Sequence, residues 1–186
     1  KVAGIILADL VGCNYKKINS IGIPVITFHR NLIDSNISVV SPTNRKGAYD
    51  ATSYLFSLGY KEVGFLGKIS SRQSSIERME GYKDACRNYI DSTNIKHFIY
   101  PMADNSPESA ELAVKKLMTR GRALPPAIFA FTDTVAISAM RTFQGEGLKV
   151  PEDISVVGFD DIELASMVNP PLTTVSIPRD IMGRIA

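Results

Sequence analysis

The residues best suited to ligand chemistry lie at the ends of predicted strands, directly after them or, for Arg78, early in the following helix. Carboxylate and amide groups exchange hydrogen bonds with hydroxyls, and an arginine fork can hold a hydroxyl pair or an anion. Phenylalanine rings beside them can stack on the apolar face of a sugar. The candidate set is Phe28, His29, Arg78, Asn105, Phe131, Thr132, Asp133 and Asp160. This composition predicts a site that binds a small polar molecule.

Several of these residues also have a purely structural interpretation. Asp133 is placed to cap the N-terminus of a helix, with or without contact to a ligand. Asp160 and its neighbour Asp161 could simply close a turn, although two adjacent carboxylates at a strand end favour a site. Arg78 could be a solvated helix residue, and a single histidine such as His29 is more often a loop residue than a ligand group. The sequence alone leaves these alternatives open.

The same residues do not have the composition of a catalytic or metal centre. No candidate nucleophile is paired with a base, and the motifs G-x-S-x-G, G-x-x-x-x-G-K-[ST] and G-x-G-x-x-G are absent. Two histidines and two widely spaced cysteines, Cys13 and Cys86, supply no metal or redox motif, so we expect two buried, reduced thiols. The sequence therefore predicts no enzyme, no metal and no cofactor.

The overall composition is that of a globular chain with no nucleic-acid footprint of its own. The 186 residues are 45% hydrophobic and 22% charged, and the formal net charge is +2 with the basic residues scattered. These values exclude a disordered chain and a disulfide scaffold. No apolar run approaches the length of a membrane span, so we expect no membrane partner.

Short apolar runs alternate with helical periodicity along the chain, which is typical of an α/β fold with helices on both faces of a parallel sheet. Strands are predicted at 2–7, 23–28, 37–40, 63–66, 97–102, 127–131, 154–159 and 173–177, and helices at 45–58, 76–86, 106–118 and 133–143. In open α/β sheets, ligands bind beyond the carboxyl ends of the strands. The polar residues that follow the strands should therefore meet at one edge.

Two blocks in the last quarter of the chain carry a resemblance to a known family. The segment V-P-E-D-I-S-V-V-G-F-D-D at 150–161, followed by P-P-L-T-T-V at 170–175, closely resembles the LacI/GalR family of bacterial transcriptional regulators. Shorter blocks agree in order: A-G-I-I-L at 3–7, G-I-P-V at 22–25, N-R-K-G-A at 44–48, L-G-Y at 58–60, R-M-E-G-Y at 78–82 and P-A-I-F-A-F at 126–131. The resemblance extends over essentially the whole chain.

The resemblance implies a periplasmic-binding-protein-like fold, in which two lobes of parallel sheet and helices enclose a ligand. Residues 1–41 would form part of the N-terminal lobe, residues 42–176 the C-terminal lobe, and residues 177–186 the crossing back to the first lobe. The helix-turn-helix that binds DNA in this family is expected to precede Lys1. The chain alone is therefore not expected to bind DNA.

The family pattern also implies roles for particular residues. Arg78 and Asp160 match positions that contact the effector in the family. Thr132–Asp133 stands where the family usually has Asn-Asp, while His29 and Asn105 stand where it often has an aspartate and an aromatic residue. The implied ligand is a small polar effector, most simply a sugar or a sugar derivative, whose identity these departures leave open.

The implied function is ligand-controlled DNA binding in the cytoplasm. An effector bound between the lobes favours a closed arrangement of the lobes. In a homodimer this closure alters the spacing of the two DNA-binding domains, and the affinity for the operator changes as a result. The dimer is expected to form through the C-terminal lobe, around residues 165–168. Two alternatives stay open: a periplasmic sugar-binding protein of a transport system, and an α/β enzyme with Asp133 or Asp160 as general base.

Overall fold

The computed structural model describes residues 2–8, 17, 20, 22–28, 37–70, 72–91 and 93–186, and these residues contain two parallel sheets. The first sheet has three strands in the order β1 (Ile5–Ala8), β2 (Val25–Phe28) and β3 (Ser38–Val40). The second sheet consists of β4 (Val63–Lys68), β5 (Ile99–Met102), β6 (Ala127–Ala130), β7 (Ser155–Asp160) and β8 (Thr173–Ser176). Its strand order is β5-β4-β6-β7-β8, and every pair of neighbours is parallel.

The central strands of the second sheet are apolar because helices cover both of their faces. All residues of β6 are buried, and so are all residues of β4 and β7 except the last. Those last residues, Lys68 and Asp160, are half-buried. The polar side chains thus begin where the strands emerge at the carboxyl edge of the sheet.

The described residues from 44 to 186 contain six α-helices: α1 (Asn44–Ser57), α2 (Gln73–Cys86), α3 (Pro107–Met118), α4 (Asp133–Gly145), α5 (Leu164–Met167) and α6 (Arg179–Ile185). Helices α1 and α2 pack on one face of the second sheet, where Leu55 and Tyr82 contact a buried cluster around Phe129. Helices α3 and α4 cover the other face, where Val114 and Phe143 are buried. Each face therefore has its own core, and the sheet lies between the two.

The predicted α/β class with parallel strands is confirmed. Helix α3 begins as its sequence indicates, because Ser106 Oγ accepts a hydrogen bond of 3.1 Å from the N–H of Ser109, and Pro107 takes the first helical position. Helix α6 lies in the final residues, where the helices predicted above do not extend. The division into lobes at residues 41 and 176 stays a prediction.

The strand predicted at 97–102 is shorter than expected. Residues Ile95–Phe98 form a 3-10 helix, in which the N–H of His97 donates to the Asn94 carbonyl at 2.9 Å. This local hydrogen bond competes with strand pairing, so β5 begins only at Ile99. Helix α5 is a second difference from the predicted elements. The sequence did not predict it, because its four residues are too few to show a helical period.

The expectation of buried thiols holds for Cys86, while Cys13 lies outside the described residues. Burial raises the pKa of the Cys86 thiol to about 11, and the Tyr82 hydroxyl opposes this shift. A buried thiol with a raised pKa is a poor nucleophile, so Cys86 belongs to the core. Within the described ranges, no helix is both long and apolar enough to span a membrane.

Candidate functional site

Arg78 lies at the centre of the carboxyl edge of the second sheet. It is in the second turn of α2, and its side chain is only 5% exposed. The guanidinium Nη2 donates to Asp160 Oδ1 at 3.0 Å, Nη1 to the Phe131 carbonyl at 2.6 Å, and Nε to Asn44 Oδ1 at 3.0 Å. One side chain therefore joins α1, α2 and the ends of β6 and β7.

Two aromatic rings fix the plane of this guanidinium. Its Cζ atom lies 3.7 Å from the centroid of the Phe159 ring and 4.8 Å from that of Phe131. Cation–π attraction strengthens as water is excluded, and Arg78 is buried here. A guanidinium has five N–H donors, and three are used by the hydrogen bonds to described residues. The other two N–H donors form no hydrogen bond to the described residues.

The carboxylate of Asp160 is the accessible half of this ion pair. Its side chain is 23% exposed, compared with 5% for Arg78. Burial raises the pKa of the Asp160 carboxyl above its usual value, and the neighbouring Arg78 guanidinium opposes this shift. Oδ1 accepts from Arg78, and part of the carboxylate reaches the surface. A ligand hydroxyl arriving at this edge would meet an acceptor held in one position.

The backbone at Asp160 has an unusual conformation. The φ angles of Asp160 and Asp161 are 117° and 54°, in the region that favours glycine. Arg179, the first residue of α6, donates to the carbonyl groups of both residues. Strained backbone of this kind is stored mostly at functional sites, where surrounding contacts hold it. Arg179 is one such contact, and it comes from the segment predicted to cross between lobes.

Asp133 is fully buried, and its carboxylate accepts hydrogen bonds that hold the segments at the carboxyl edge of the sheet together. Its Oδ2 accepts from the N–H of Ile162 at 2.9 Å, and its Oδ1 accepts from Thr174 Oγ1 at 2.5 Å. The predicted capping role of Asp133 is wrong, because Thr132 is the N-cap of α4 and accepts from the N–H of Val135 at 3.3 Å. Asp133 instead takes the first helical position, where a carboxylate is favoured by the helix dipole. Its contact with a ligand stays a prediction.

The remaining candidate residues are Asn105, Phe28 and His29. Asn105 precedes α3, and its Oδ1 accepts from the main-chain N–H of Lys68 at 3.2 Å, so it sits at the end of β4. Phe28 ends β2 and packs, half-buried, against the core that contains Tyr82. His29 lies outside the described residues. The structure thus brings Arg78, Phe131 and Asp160 into contact, with Thr132 and Asn105 at the ends of neighbouring strands.

Asn44 and Arg179 are important here but were not among the candidate residues. Asn44 is buried, and its Nδ2 donates to Glu77 Oε2 at 3.1 Å while its Oδ1 receives Arg78. It belongs to the N-R-K-G-A block, which was a usable signal. No local sequence pattern marks Arg179, because the residues it binds lie 18 and 19 positions earlier in the chain.

Gly81 allows α2 to approach α1 closely enough for Arg78 to reach Asn44. A Cβ atom at Gly81 would lie 2.1 Å from the Arg45 carbonyl oxygen and 3.0 Å from the Ala48 Cβ. Both distances are shorter than ordinary van der Waals contact. Gly81 follows Arg78 by three positions, so it lies on the same side of α2. The small residue therefore positions the arginine.

This edge has the character of a binding site. Charged and amide groups are held by a rigid sheet and by buried helices, next to phenylalanine rings. In the part of the chain that the structure describes, no group of three or more His, Cys, Asp or Glu residues is arranged to hold a metal ion.

Comparisons with known proteins agree with this fold. A family model described as "Periplasmic binding protein-like domain" matches residues 52–186. The ribose operon repressor of Haemophilus influenzae is 29% identical over 167 residues, which cover 90% of this chain and 49% of the repressor. The HTH-type transcriptional repressor PurR of Vibrio atlanticus is 34% identical over 152 residues, covering 82% of this chain and 45% of the repressor. The chain thus spans about half the length of these relatives.

A solved structure shows the same similarity in three dimensions. It is a sugar-binding transcriptional regulator of the LacI family from Escherichia coli, complexed with phosphate. The TM-score is 0.82 at 28% identity, and the match covers 98% of this chain and 66% of the other. The chain belongs to the periplasmic binding protein-like domain family, in the form that LacI-family transcriptional regulators carry as their ligand-binding domain.

Proposed function

We propose that the chain senses a small polar effector, a sugar or sugar derivative, and thereby controls operator binding by a LacI-type regulator. The observation that carries this proposal is the buried Arg78, held between Asp160 and two phenylalanine rings at the carboxyl edge of a parallel sheet. Such an arrangement binds rather than reacts, because it lacks a paired nucleophile and base. The names of the relatives support a regulator over a transport protein or an enzyme.

Under this proposal, Arg78 and Asp160 contact ligand hydroxyls or an anionic group, and Phe131 packs against the ligand. Thr132, Asn105 and Asp133 line or support the same edge. Phe28 ends β2 of the first sheet, and His29, which directly follows it in the sequence, is also expected to contact the ligand. A ligand in contact with both sheets stabilises the arrangement in which the lobes are closed, because it has more contacts there than in the open one.

The effect on DNA follows from linkage between two binding events. If the effector binds the closed arrangement better, and operator affinity differs between arrangements, each ligand must change the affinity for the other. The operator would be bound through a helix-turn-helix outside these 186 residues, and such control places the protein in the cytoplasm. The strained backbone at Asp160, clamped by Arg179 of α6, connects the ligand edge to the segment predicted to cross between lobes.

The first test is a thermal-shift screen of sugars, sugar phosphates and nucleobases. A ligand at a concentration of 100 times its Kd stabilises the native state by about 2.7 kcal/mol. For a chain of this size, that corresponds to a rise in Tm of roughly 5–10 °C. We expect a rise of this size for sugars or sugar phosphates. A folded protein whose Tm responds to no member of the panel would contradict the proposal.

We also propose that the regulator is a homodimer that uses the surface of α3, α4 and α5. A groove of about 560 Å³ runs between α3 and α4 and is lined in part by Glu111, Arg141 and Leu164. Leu164 is 50% exposed, and Met167 at the end of α5 is 65% exposed. Exposed apolar side chains beside charged ones are typical of a subunit interface.

Sedimentation equilibrium should show that the wild-type protein is a dimer. Met167→Glu should raise the dimer dissociation constant by at least about tenfold, because a buried carboxylate without a partner is costly at an interface. Leu58→Glu is the matched control, since Leu58 is also exposed but directly follows α1 and does not line this groove. It should leave the dimer intact. A monomeric wild type, or equal effects of the two variants, would show that the interface lies elsewhere.

A further inference from the structure

The Asp160 carboxylate is carried by a backbone conformation that residues other than glycine avoid. The φ angles of Asp160 and Asp161 are 117° and 54°, where the side chain of an L-residue is crowded by the neighbouring backbone. A turn without supporting contacts would relax to negative φ. Because the Asp160 side chain is attached to this backbone, such a change would displace its Oδ1 from Arg78. The ion pair therefore depends on contacts that hold the turn.

The N–H groups of this turn are bound at the edge of the sheet. The N–H of Ile162 donates to Asp133 Oδ2 at 2.9 Å, and the N–H of Asp161 donates to Thr174 Oγ1 at 3.4 Å. The second distance is longer than a usual N–H···O hydrogen bond, so it holds Asp161 only weakly. Asp160 is the last residue of β7 that pairs with β8, so the strand ladder does not extend to Asp161. The two strained residues thus need a further anchor.

Arg179 supplies this anchor from the carbonyl side of the turn. Its Nη1 donates to the Asp161 carbonyl at 3.0 Å, and its Nη2 donates to the Asp160 carbonyl. A guanidinium is planar and rigid, so one fork that binds two consecutive carbonyl groups also fixes their relative orientation. Asp160 is therefore held by two arginines, with its carboxylate on Arg78 and its carbonyl on Arg179.

The main chain that carries Arg179 is itself fixed, although the Arg179 side chain is exposed. The N–H of Arg179 donates to the Ile177 carbonyl at 2.7 Å. Ile177 and Met182, on either side of it in the chain, are buried in the same core cluster as Phe159. Close-packed side chains of this kind hold the backbone in place. The guanidinium therefore reaches the turn from a rigid base.

The contribution of Arg179 to Asp160 is mainly geometric. Both terminal nitrogen atoms of Arg179 donate to main-chain carbonyls, so it holds the backbone of the site and is not assigned a ligand contact. Burial raises the pKa of the Asp160 carboxyl, and the charge of Arg179 opposes this shift less than the charge of Arg78 does. Orientation of the carboxylate is thus the larger effect.

We infer that Arg179 is a positioning residue of the ligand site, which holds the strained turn at Asp160 and Asp161 and so keeps the Asp160 carboxylate in place for a ligand. This inference rests on the proposed function, since it assigns a role within that same site. An acceptor that is already held in its binding position loses less freedom when the ligand arrives, so the affinity is higher. Loss of Arg179 should therefore weaken binding through Asp160.

A double-mutant cycle tests whether Arg179 acts through Asp160. Ribose, ribose 5-phosphate, glucose and glucose 6-phosphate are titrated calorimetrically into the wild type, Arg179→Met, Asp160→Asn and the double variant. Arg179→Met should weaken binding by at least about tenfold in the wild-type background, but by less than about threefold in the Asp160→Asn background. Arg184→Met is the control, because Arg184 is also exposed and lies further along α6, and it should bind like the wild type.

Rescue by glycine separates this role from a general loss of stability. Asp161 is exposed, and glycine adopts its φ of 54° without strain. Arg179→Met/Asp161→Gly should therefore bind at least about threefold tighter than Arg179→Met alone. Without any ligand, amide hydrogen exchange at Asp161 and Ile162 should become at least about tenfold faster in Arg179→Met and stay unchanged in Arg184→Met.

The outcomes for this inference and for the proposed function are distinct. Equal effects of Arg179→Met in the two backgrounds, no rescue by Asp161→Gly, or unchanged amide exchange would overturn the role of Arg179 but leave the proposed function standing. If none of the four sugars bound the wild type, both would be wrong.

Discussion

Replacing Arg78 with alanine is expected to lower the free energy of unfolding by about 3–5 kcal/mol. The substitution removes three hydrogen bonds and leaves the Asp160 carboxylate, Asn44 Oδ1 and the Phe131 carbonyl without their partner. Losing one member of a buried ion pair costs far more than losing an exposed one, because the remaining charge stays desolvated. Urea denaturation monitored by circular dichroism measures this loss.

Arg87→Ala is the matched control for that measurement. Arg87 directly follows α2, and its side chain is 50% exposed in the ion pair with Asp84, compared with 5% for Arg78. Exposed pairs contribute at most about 1 kcal/mol. The double variant Arg78→Ala/Asp160→Ala should be less destabilised than the sum of its two single variants, because the contact is shared. If Arg78→Ala and Arg87→Ala cost the same, Arg78 would not be the centre of a buried network.

Gly81→Ala is expected to destabilise the chain by roughly 1–3 kcal/mol or more, the range for overpacking in a close-packed core. The added methyl group would lie 2.1 Å from the Arg45 carbonyl oxygen, which is backbone and cannot rotate away. Helices α1 and α2 must then separate. Because Arg78 reaches Asn44 across this contact, the same substitution should also weaken ligand binding.

Gly145→Ala provides a control of identical chemistry. Gly145 is the last residue of α4, and a Cβ atom there would meet nothing within 4 Å. Alanine is a better helix former than glycine by about 1 kcal/mol, so this variant should be neutral or slightly stabilised. Chemical denaturation measures the free energy of unfolding of both variants. A Gly81→Ala protein as stable as Gly145→Ala would mean that the helices do not need this close approach.

The sequence predicts the fold well where the signal is local. The continuous apolar runs at β4, β6 and β7 identify strands buried on both faces, and Ser106 with Pro107 identifies the start of α3. Local signals also produce the errors. Residues 97–98 have strand-like neighbours but form a 3-10 turn, and Thr132 rather than Asp133 accepts the capping bond.

The site depends on contacts that no local pattern contains. Arg78 and Asp160 are separated by 82 positions, and only the parallel order of the strands brings them together. Rules for α/β sheets predict that strand ends converge, which selects the correct edge. They do not predict that Arg179 holds the Asp160 backbone.

The central claim is that the edge around Arg78 and Asp160 binds the effector, and one titration tests it most directly. The ligand with the largest thermal shift is titrated calorimetrically into the wild-type protein, into Asp160→Asn and into the exposed control Asp153→Asn. We predict that Asp160→Asn, which keeps its shape but loses the charge, weakens binding by at least about tenfold, while Asp153→Asn binds like the wild type. An Asp160→Asn protein that is folded and has the wild-type Kd would contradict the account.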